Sequence, residues 1–93
     1  MGEDEFEWDA AKAQGNLAKH GVGFEAAQEV FTRPYYQDQR SDDPEQHRVI
    51  GWVKDRLFTV IFEIREDNLS EYCHLVTLWR STREERELYE ANS

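Results

Sequence analysis

The sequence predicts an α+β domain: a short N-terminal strand, a two-helix hairpin, a four-stranded antiparallel sheet and a C-terminal helix. Three observations support this order. Apolar residues recur at helical spacing between Ala10 and Phe31, polar and apolar residues alternate between Tyr35 and Trp79, and a helix-capping pattern follows the last strand. A helix repeats about every 3.6 residues and a strand about every 2, so the change of period separates the helices from the sheet.

The 93 residues fit one domain, which begins with an acidic leader that we expect to be disordered, residues 1–5. Phe6-Glu7-Trp8 then alternates as a short strand does. Asp9 is typical of a helix N-cap and Gly21 of the left-handed residue that ends a helix, so the first helix is predicted from Ala10 to His20. One face of this helix carries an apolar stripe of Ala10, Ala13, Leu17 and His20, and another carries Lys12, Asn16 and Lys19.

A second helix is predicted from Phe24, joined to the first by Gly21-Val22-Gly23 in a tight hairpin. Its inward side chains are expected to be Phe24, Ala27, Val30 and Phe31. The helix should end at Arg33, because the following Pro34 disfavours helical backbone in the residue before it.

Four strands are predicted, at Tyr35–Asp38, Arg48–Val53, Leu57–Ile64 and Glu71–Trp79, with a polar loop over Gln39–Gln46. The third strand should place Phe58, Val60, Phe62 and Ile64 on one face and Leu57, Thr59, Ile61 and Glu63 on the other. The fourth strand should place Tyr72, His74, Val76 and Leu78 on one face and Cys73, Leu75, Thr77 and Trp79 on the other. Ser81 and Glu84 have the spacing of a capping box, which predicts a last helix from Thr82 to Glu90.

Composition limits the possible partners. Twenty Asp and Glu residues against 11 Lys and Arg give a formal charge of −9, which opposes long-range attraction to nucleic acid, so contact with RNA or DNA must be local or made by a partner. A single cysteine, Cys73, excludes an internal disulfide. No apolar run reaches the roughly 18 residues of a membrane helix, and no signal peptide is recognisable. We therefore expect a cytoplasmic protein that does not bind membranes.

The common phosphate-binding, hydrolase and metal-binding motifs are missing from the sequence. The three histidines fall in different predicted elements, which predicts neither a metal site nor a cofactor. His20 is the most interesting single residue, because imidazole exchanges a proton near neutral pH and the adjacent Lys19 can neutralise a phosphate. An equally good interpretation is structural, since His20 closes the apolar stripe and a cation near a helix C-terminus is favoured by the helix dipole.

A second candidate site lies at the end of the last strand. Arg80 continues the face of His74, Val76 and Leu78, close to the start of the last helix, so Arg80, Thr82 and Arg83 could hold a phosphate. The alternative, which we favour slightly, is that these arginines pair with Glu84, Glu85 or Glu87 on a solvated helix.

Two further groups of side chains have both a functional and a structural interpretation. Glu63 is a possible general base, although a glutamate at a strand end is more often solvated. Trp52, Trp79, Tyr35 and Tyr36 could stack on RNA bases, although such aromatic side chains more often belong to a core or a protein interface.

The N-terminal block resembles the BrnT family of bacterial toxins. The matching residues are Trp8-Asp9, Asn16-Leu17, Lys19-His20-Gly21-Val22 and the stretch from Phe24 to Phe31. In the C-terminal part, Ser81-Thr82, Glu85-Arg86 and Tyr89 match the tail of the family. The resemblance spans nearly the whole chain, with one departure: family members usually carry an arginine where this chain has Trp79.

The resemblance implies a compact RelE-like ribonuclease of a type II toxin–antitoxin pair, inhibited by a ribbon-helix-helix antitoxin of the BrnA type that also binds operator DNA. A metal-independent mechanism then requires a base, a cation and an acid. We assign acid–base chemistry to His20, phosphate stabilisation to Lys19 and Arg80, and RNA binding to Lys12, Thr82 and Arg83. Two alternatives stay open: a degenerate toxin that only binds its antitoxin, which Trp79 and the negative charge favour, and a weaker one, an acidic mimic of nucleic acid.

Overall fold

The computed structural model describes residues 6–92 and has an α+β architecture with helices on both faces of one sheet. The leader predicted to be disordered, residues 1–5, lies outside the described residues. The strands are β1 (Phe6–Trp8), β2 (Tyr36–Asp42), β3 (Glu45–Val53), β4 (Arg56–Glu66) and β5 (Glu71–Arg80). The helices are α1 (Ala10–His20), α2 (Phe24–Ala27) and α3 (Arg83–Ala91), with a 3-10 helix at Gln28–Thr32 directly after α2.

The sheet differs from the predicted four-stranded antiparallel meander. Its order is β1-β5-β4-β3-β2, and β1 lies parallel to β5, with Phe6 opposite Cys73 and Trp8 opposite Leu75. The sheet is therefore five-stranded and mixed. The prediction missed this because a three-residue strand has no periodicity that reveals its partner, and its partner lies at the other end of the chain.

Helix α1 confirms its predicted bounds and caps. The Lys12 backbone N–H donates to Asp9 Oδ1 at 3.0 Å, and Gly21 adopts a left-handed φ of 77° while its N–H donates to the Leu17 carbonyl. The helix lies shallowly on the protein, because none of its residues is buried and Leu17 is 53% exposed. The predicted apolar stripe is thus only a weak anchor.

The second half of the predicted helical hairpin is shorter than expected. Only Phe24–Ala27 is α-helical, and the chain tightens into the 3-10 helix before Arg33 becomes extended ahead of Pro34. Phe24, Ala27 and Val30 are fully buried, as predicted. A Cβ atom at Gly51 on β3 would lie 3.2 Å from Val30 Cβ, so a glycine there lets the 3-10 helix approach the sheet closely.

Strand β4 is buried on both faces, and its alternation confirms the prediction except at its end. Phe58, Val60 and Phe62 face α2, together with Val49 and Leu75, and form the main core. Leu57, Thr59 and Ile61 are buried on the opposite face. On that face α3 packs against β3, and the Tyr89 hydroxyl donates to the Pro34 carbonyl at 3.2 Å.

The predicted loop over Gln39–Gln46 is mostly strand. β2 continues to Asp42 and β3 begins at Glu45, with an irregularity between Gln39 and Ser41 that leaves Arg40 outside the paired register. The prediction of a loop rested on the polar composition of the segment. A bulge leaves one residue unpaired but lets the two strands continue to pair on either side of it, so a polar segment can still be a strand.

Strand β5 also contains a bulge, and it overturns the predicted faces. Ile61 pairs with Thr77 while Phe62 pairs with Leu75, so Val76 is the extra residue. Leu78 consequently lies on the face of Cys73 and Leu75, and all three are buried. The prediction that Arg80 shares a face with His74 is wrong, because the bulge shifts the alternation between them.

Helix α3 starts one residue later than predicted, and its capping box is formed by other residues. Thr82 is the N-cap: its hydroxyl accepts from the Glu85 backbone N–H at 3.2 Å, and Glu85 Oε1 accepts from the Thr82 backbone N–H at 2.9 Å. The predicted pair of Ser81 and Glu84 does not form this box. Ser81 instead continues the sheet, because its N–H donates to the Leu57 carbonyl.

Candidate functional site

A small cleft separates α1 from the C-terminal half of β5. It has a volume of about 270 Å³ and is lined by Lys12, Gly15, Asn16, Lys19 and Thr77. The face of α1 that the sequence set apart from the apolar stripe therefore faces the strand. Lys12 Nζ donates to the carbonyl oxygen of Val76, the bulged residue, at 3.3 Å. Because α1 contains no acidic residue, the helix brings positive charge to this edge of an acidic protein.

The basic side chains divide into two groups. Five arginines form ion pairs with carboxylates: Arg33, Arg48, Arg65, Arg83 and Arg86. For the other six, no ion pair joins them to a carboxylate within residues 6–92. Four of these six cluster along Thr77 to Arg80, namely Lys12 and Lys19 in the cleft, Arg40 over the Trp79 ring, and Arg80 itself.

We call Lys12, Lys19, Arg40 and Arg80 the β5 cationic strip. Lys54 and Arg56, in and beside the β3–β4 turn, complete the group of six. In a chain of charge −9, these four cations form no ion pair with a carboxylate within residues 6–92 and concentrate positive charge around the end of β5. They do not all share one face, because Arg80 lies on the other side of the strand from Trp79 and Arg40.

Trp79 is the β5 residue that holds Arg40 in the strip. Its indole is half-buried, and its Nε1–H donates to both oxygens of Glu85, at 3.0 and 3.3 Å. The Arg40 guanidinium carbon lies 5.5 Å from the ring centroid, within the range of a cation–π contact. The bulge in β2 thus contributes a cation to the strip from the far edge of the sheet.

A polar network beneath Trp79 holds the indole in place. Glu85 is 8% exposed and also accepts from the Thr59 hydroxyl at 2.8 Å, and Arg48 lies 3.9 Å away. Burial raises the pKa of the Glu85 carboxyl, but hydrogen bonds from the Thr82 backbone, Thr59 and Trp79 outweigh burial and leave that pKa below its usual value. Glu85 is consequently an ionised anchor.

Arg48 links this network to β2. Its Nε donates to Asp38 Oδ1 at 2.9 Å, and the Tyr36 hydroxyl donates to Asp38 Oδ2 at 3.0 Å. Burial raises the pKa of Asp38, yet the hydrogen bonds from Arg48 and Tyr36 lower it overall. Every buried side-chain nitrogen and oxygen among residues 6–92 has a partner, so this network is structurally complete.

The structure separates the predicted site residues into two groups. Lys12 and Lys19 share the cleft, and His20 follows Lys19 at the end of α1, half-buried. Arg80 lies opposite Phe58, on the reverse side of β5 from Trp79, and is exposed. Thr82 is engaged as the N-cap, and Arg83 is 92% exposed beside Glu87. The capping box of α3 therefore occupies the Thr82 and Glu85 backbone N–H groups.

Glu63 differs from the solvated glutamate that the sequence favoured. Its side chain is only 15% exposed and accepts from Gln46 Nε2 at 2.8 Å and from Arg65. These hydrogen bonds lower the pKa of its carboxyl, which makes it a weaker base.

Sequence reasoning missed Arg40 and Glu85 as parts of the site. A bulge in a polar segment has no clear sequence signature, so the position of Arg40 was not predictable. Glu85 was predictable, because Thr82-Arg83-Glu84-Glu85 has the same capping-box spacing as Ser81 to Glu84.

Among residues 6–92, no three His, Cys, Asp or Glu side chains converge as metal ligands would. None of the helices in that range is long and apolar enough to cross a bilayer.

The mixed sheet, the shallow α1 and the β5 cationic strip describe a small acidic α+β protein with a local concentration of positive charge. Residues 8–85 match the family described as ribonuclease toxin, BrnT, of type II toxin–antitoxin system. The chain belongs to this family, and family membership implies an antitoxin partner and an RNA target. A comparison with curated proteins gave no match.

Proposed function

We propose that this ribonuclease toxin cleaves RNA without a metal ion at the β5 cationic strip. The observation that carries the proposal is the cleft in which Lys12 and Lys19 face Thr77, on the strand that also ends in Arg80 and whose Trp79 ring is covered by Arg40. None of these four cations forms an ion pair with a carboxylate within the described range. Lysine and arginine side chains that are not neutralised by the protein can neutralise phosphates. The strip supplies the cations that the reaction requires.

The reaction follows from these groups. The ribose 2′-hydroxyl loses its proton to a base and its oxygen attacks the adjacent phosphorus. The bond from phosphorus to the 5′-oxygen breaks, and that oxygen takes a proton from an acid. The products are a cyclic phosphate and a 5′-hydroxyl. His20 supplies acid–base chemistry, Lys19 and Arg80 stabilise the charge that develops on the phosphate, and Lys12 holds the RNA backbone. Thr82 and Arg83 remain predicted contacts of the flanking RNA.

We further propose that the partner is a ribbon-helix-helix antitoxin of the BrnA type, and that operator DNA is reached only through it. The charge of −9 supports this division, because it disfavours direct binding to DNA. In this proposal the toxin acts in the cytoplasm in a RelE-like manner, and its cleavage of RNA inhibits translation.

Cleavage of an RNA substrate in the presence of EDTA tests the proposal. We expect the purified chain to cut RNA under these conditions, His20→Ala to lose at least about 100-fold in rate, and Lys19→Ala at least about tenfold. Lys54→Asn is the matched control, because it removes one lysine outside the cleft and asparagine tolerates the φ of 58° at that position. Full activity in a folded His20→Ala protein contradicts the catalytic assignment, and complete inhibition by EDTA contradicts metal independence.

A second candidate function is a binding module that engages the antitoxin without cutting RNA. Trp79 favours this second function. Its indole, whose N–H donates to Glu85, stands where family members usually carry an arginine. Expression of the chain alone distinguishes the two. Growth arrest with RNA decay supports the ribonuclease, whereas normal growth with an intact folded protein supports the binding module.

A further inference from the structure

An apolar groove lies at the opposite half of β5 from the cationic strip. It has a volume of about 620 Å³, and its walls include Phe6, Phe31, Tyr35, His47, Phe62 and Ile64. The rings form a connected set. The Phe31 centroid lies 5.3 Å from that of Phe6, 5.6 Å from that of Phe62 and 5.7 Å from that of Tyr35. Such a set of aromatic side chains is typical of a protein interface.

Residues 6–92 cover the groove incompletely. Ile64 is 50% exposed and Tyr35 is 44% exposed, although each belongs to the same aromatic and aliphatic wall. The α2 segment and the 3-10 helix cover the main core beside the groove but leave these two side chains in contact with solvent. Large apolar side chains that share a concave site and stay exposed commonly mark a binding surface.

One edge of the groove carries several carboxylates. Phe6 also lines an adjoining cleft of about 460 Å³, whose other walls are Glu7, Asp67 and Tyr72. Glu7 is paired with His74, and Asp67 accepts from the Leu69 and Ser70 backbone N–H groups, so the unpaired acidic charge lies in the adjacent hairpin. In the hairpin between β4 and β5, Glu66 lies directly opposite Glu71 in the register. Like charges in facing positions destabilise a sheet, and a cation placed between them relieves the repulsion. The nearest arginine in sequence, Arg65, is already paired with Glu63.

Charge complementarity identifies the kind of occupant. A second copy of this chain carries the same charge of −9, the leader contributes Glu3, Asp4 and Glu5, and RNA is anionic, so each is repelled by the acidic edge. A protein segment with aromatic or aliphatic side chains for the groove and Lys or Arg for its edge fits both surfaces.

We infer that this groove is the docking site for a basic, apolar segment of the antitoxin, separate from the surface that binds RNA. The inference rests on the proposed function in that the partner is the antitoxin. The N-terminal half of β5 then contributes to antitoxin binding, because Cys73 lines the groove. The C-terminal half contributes to RNA binding, because Thr77 lines the cationic cleft.

Affinity for the protein encoded by the adjacent reading frame tests the inference by calorimetry on the full chain. Ile64→Asp should weaken binding at least about tenfold, because it places a charge in the apolar wall. Leu17→Asp is the matched control. Leu17 is 53% exposed on α1, so this variant also replaces an exposed aliphatic side chain by aspartate, but outside the groove. We expect that control to bind within about threefold of the wild type, and Ile64→Asp to cut RNA at the wild-type rate.

A second variant tests the acidic edge without disturbing the apolar wall. Glu66→Gln with Glu71→Gln should weaken binding about tenfold at low salt and reduce its salt dependence, while the melting temperature of the isolated toxin rises. A purely structural role for these residues predicts no change in the salt dependence of binding.

The outcomes separate this inference from the proposed function. Wild-type affinity in Ile64→Asp, or equal losses in both aspartate variants, overturns the groove as the docking site while RNA cleavage stands. If the wild-type chain does not cleave RNA but Ile64→Asp binds the antitoxin more weakly than Leu17→Asp by the predicted factor, the proposed ribonuclease activity is wrong and the docking site stands. No binding by the wild-type chain overturns the docking site together with the proposed antitoxin.

Discussion

Replacing Glu85 by alanine tests whether the network beneath Trp79 holds α3 and the indole together. The carboxylate is 8% exposed and accepts hydrogen bonds from Thr59, Trp79 and the Thr82 backbone. Loss of the capping box costs about 1 kcal/mol. The Thr59 hydroxyl and the Trp79 N–H lose a charged acceptor, at about 1–3 kcal/mol each.

These contributions share one carboxylate, so they do not add in full. We expect the free energy of unfolding to fall by about 3–4 kcal/mol, which for a domain of this size lowers the melting temperature by at least about 12 °C. Urea unfolding followed by circular dichroism measures the change. Glu87→Ala, on the exposed face of α3 beside Arg83, is the control and should cost no more than about 0.5 kcal/mol.

The same carboxylate predicts a pH dependence. Because the folded pKa of Glu85 is lowered, its stabilisation is fully present above the unfolded pKa and is lost as pH falls through the folded pKa. The difference in stability between the wild type and Glu85→Gln should therefore be constant between about pH 6 and 7 and shrink below about pH 4.5. A loss below about 1 kcal/mol in Glu85→Ala, or a difference that grows on acidification, refutes the reasoning.

Two further predictions concern the cationic strip and the thiol. Arg40→Ala should weaken binding of a single-stranded RNA oligonucleotide and reduce the slope of log affinity against log salt concentration by about one. The control Arg33→Ala, which removes an arginine paired with Glu29, should change neither the affinity nor that slope. Equal effects of the two variants in titrations at several salt concentrations exclude a specific role for Arg40. Burial raises the pKa of Cys73 to about 12, so its thiol should react with an aromatic disulfide reagent at pH 8 only after urea unfolds the chain, and rapid labelling of the native protein contradicts this.

The local features of the fold were the predictable ones. Asp9 and Gly21 defined the bounds of α1, and the alternation of Phe58 to Glu63 identified a strand and its two faces. Both signals depend on residues within about one or two turns of each other, which the sequence displays directly.

The site was predictable only in part. Lys12 and Lys19 share a helix face, so their proximity followed from helical spacing, and the structure places both in one cleft. Arg40 reaches Trp79 from the opposite edge of the sheet, and a bulge at Val76 decides which side chains share a face of β5. Neither arrangement has a local sequence signal, because a bulge is defined by its pairing with another strand.

The sequence by itself determined the α+β class, the bounds and caps of α1, the resemblance to a toxin family and the acidic charge that restricts RNA contact to a local surface. Tertiary structure alone decided that β1 joins β5 in parallel, that Glu85 is withdrawn from solvent beneath Trp79, and that an apolar groove stays open beside Ile64. The physical reason is range. Caps and periodicity arise from neighbours along the chain, whereas register, burial and concavity arise from segments that meet only when the sheet has formed.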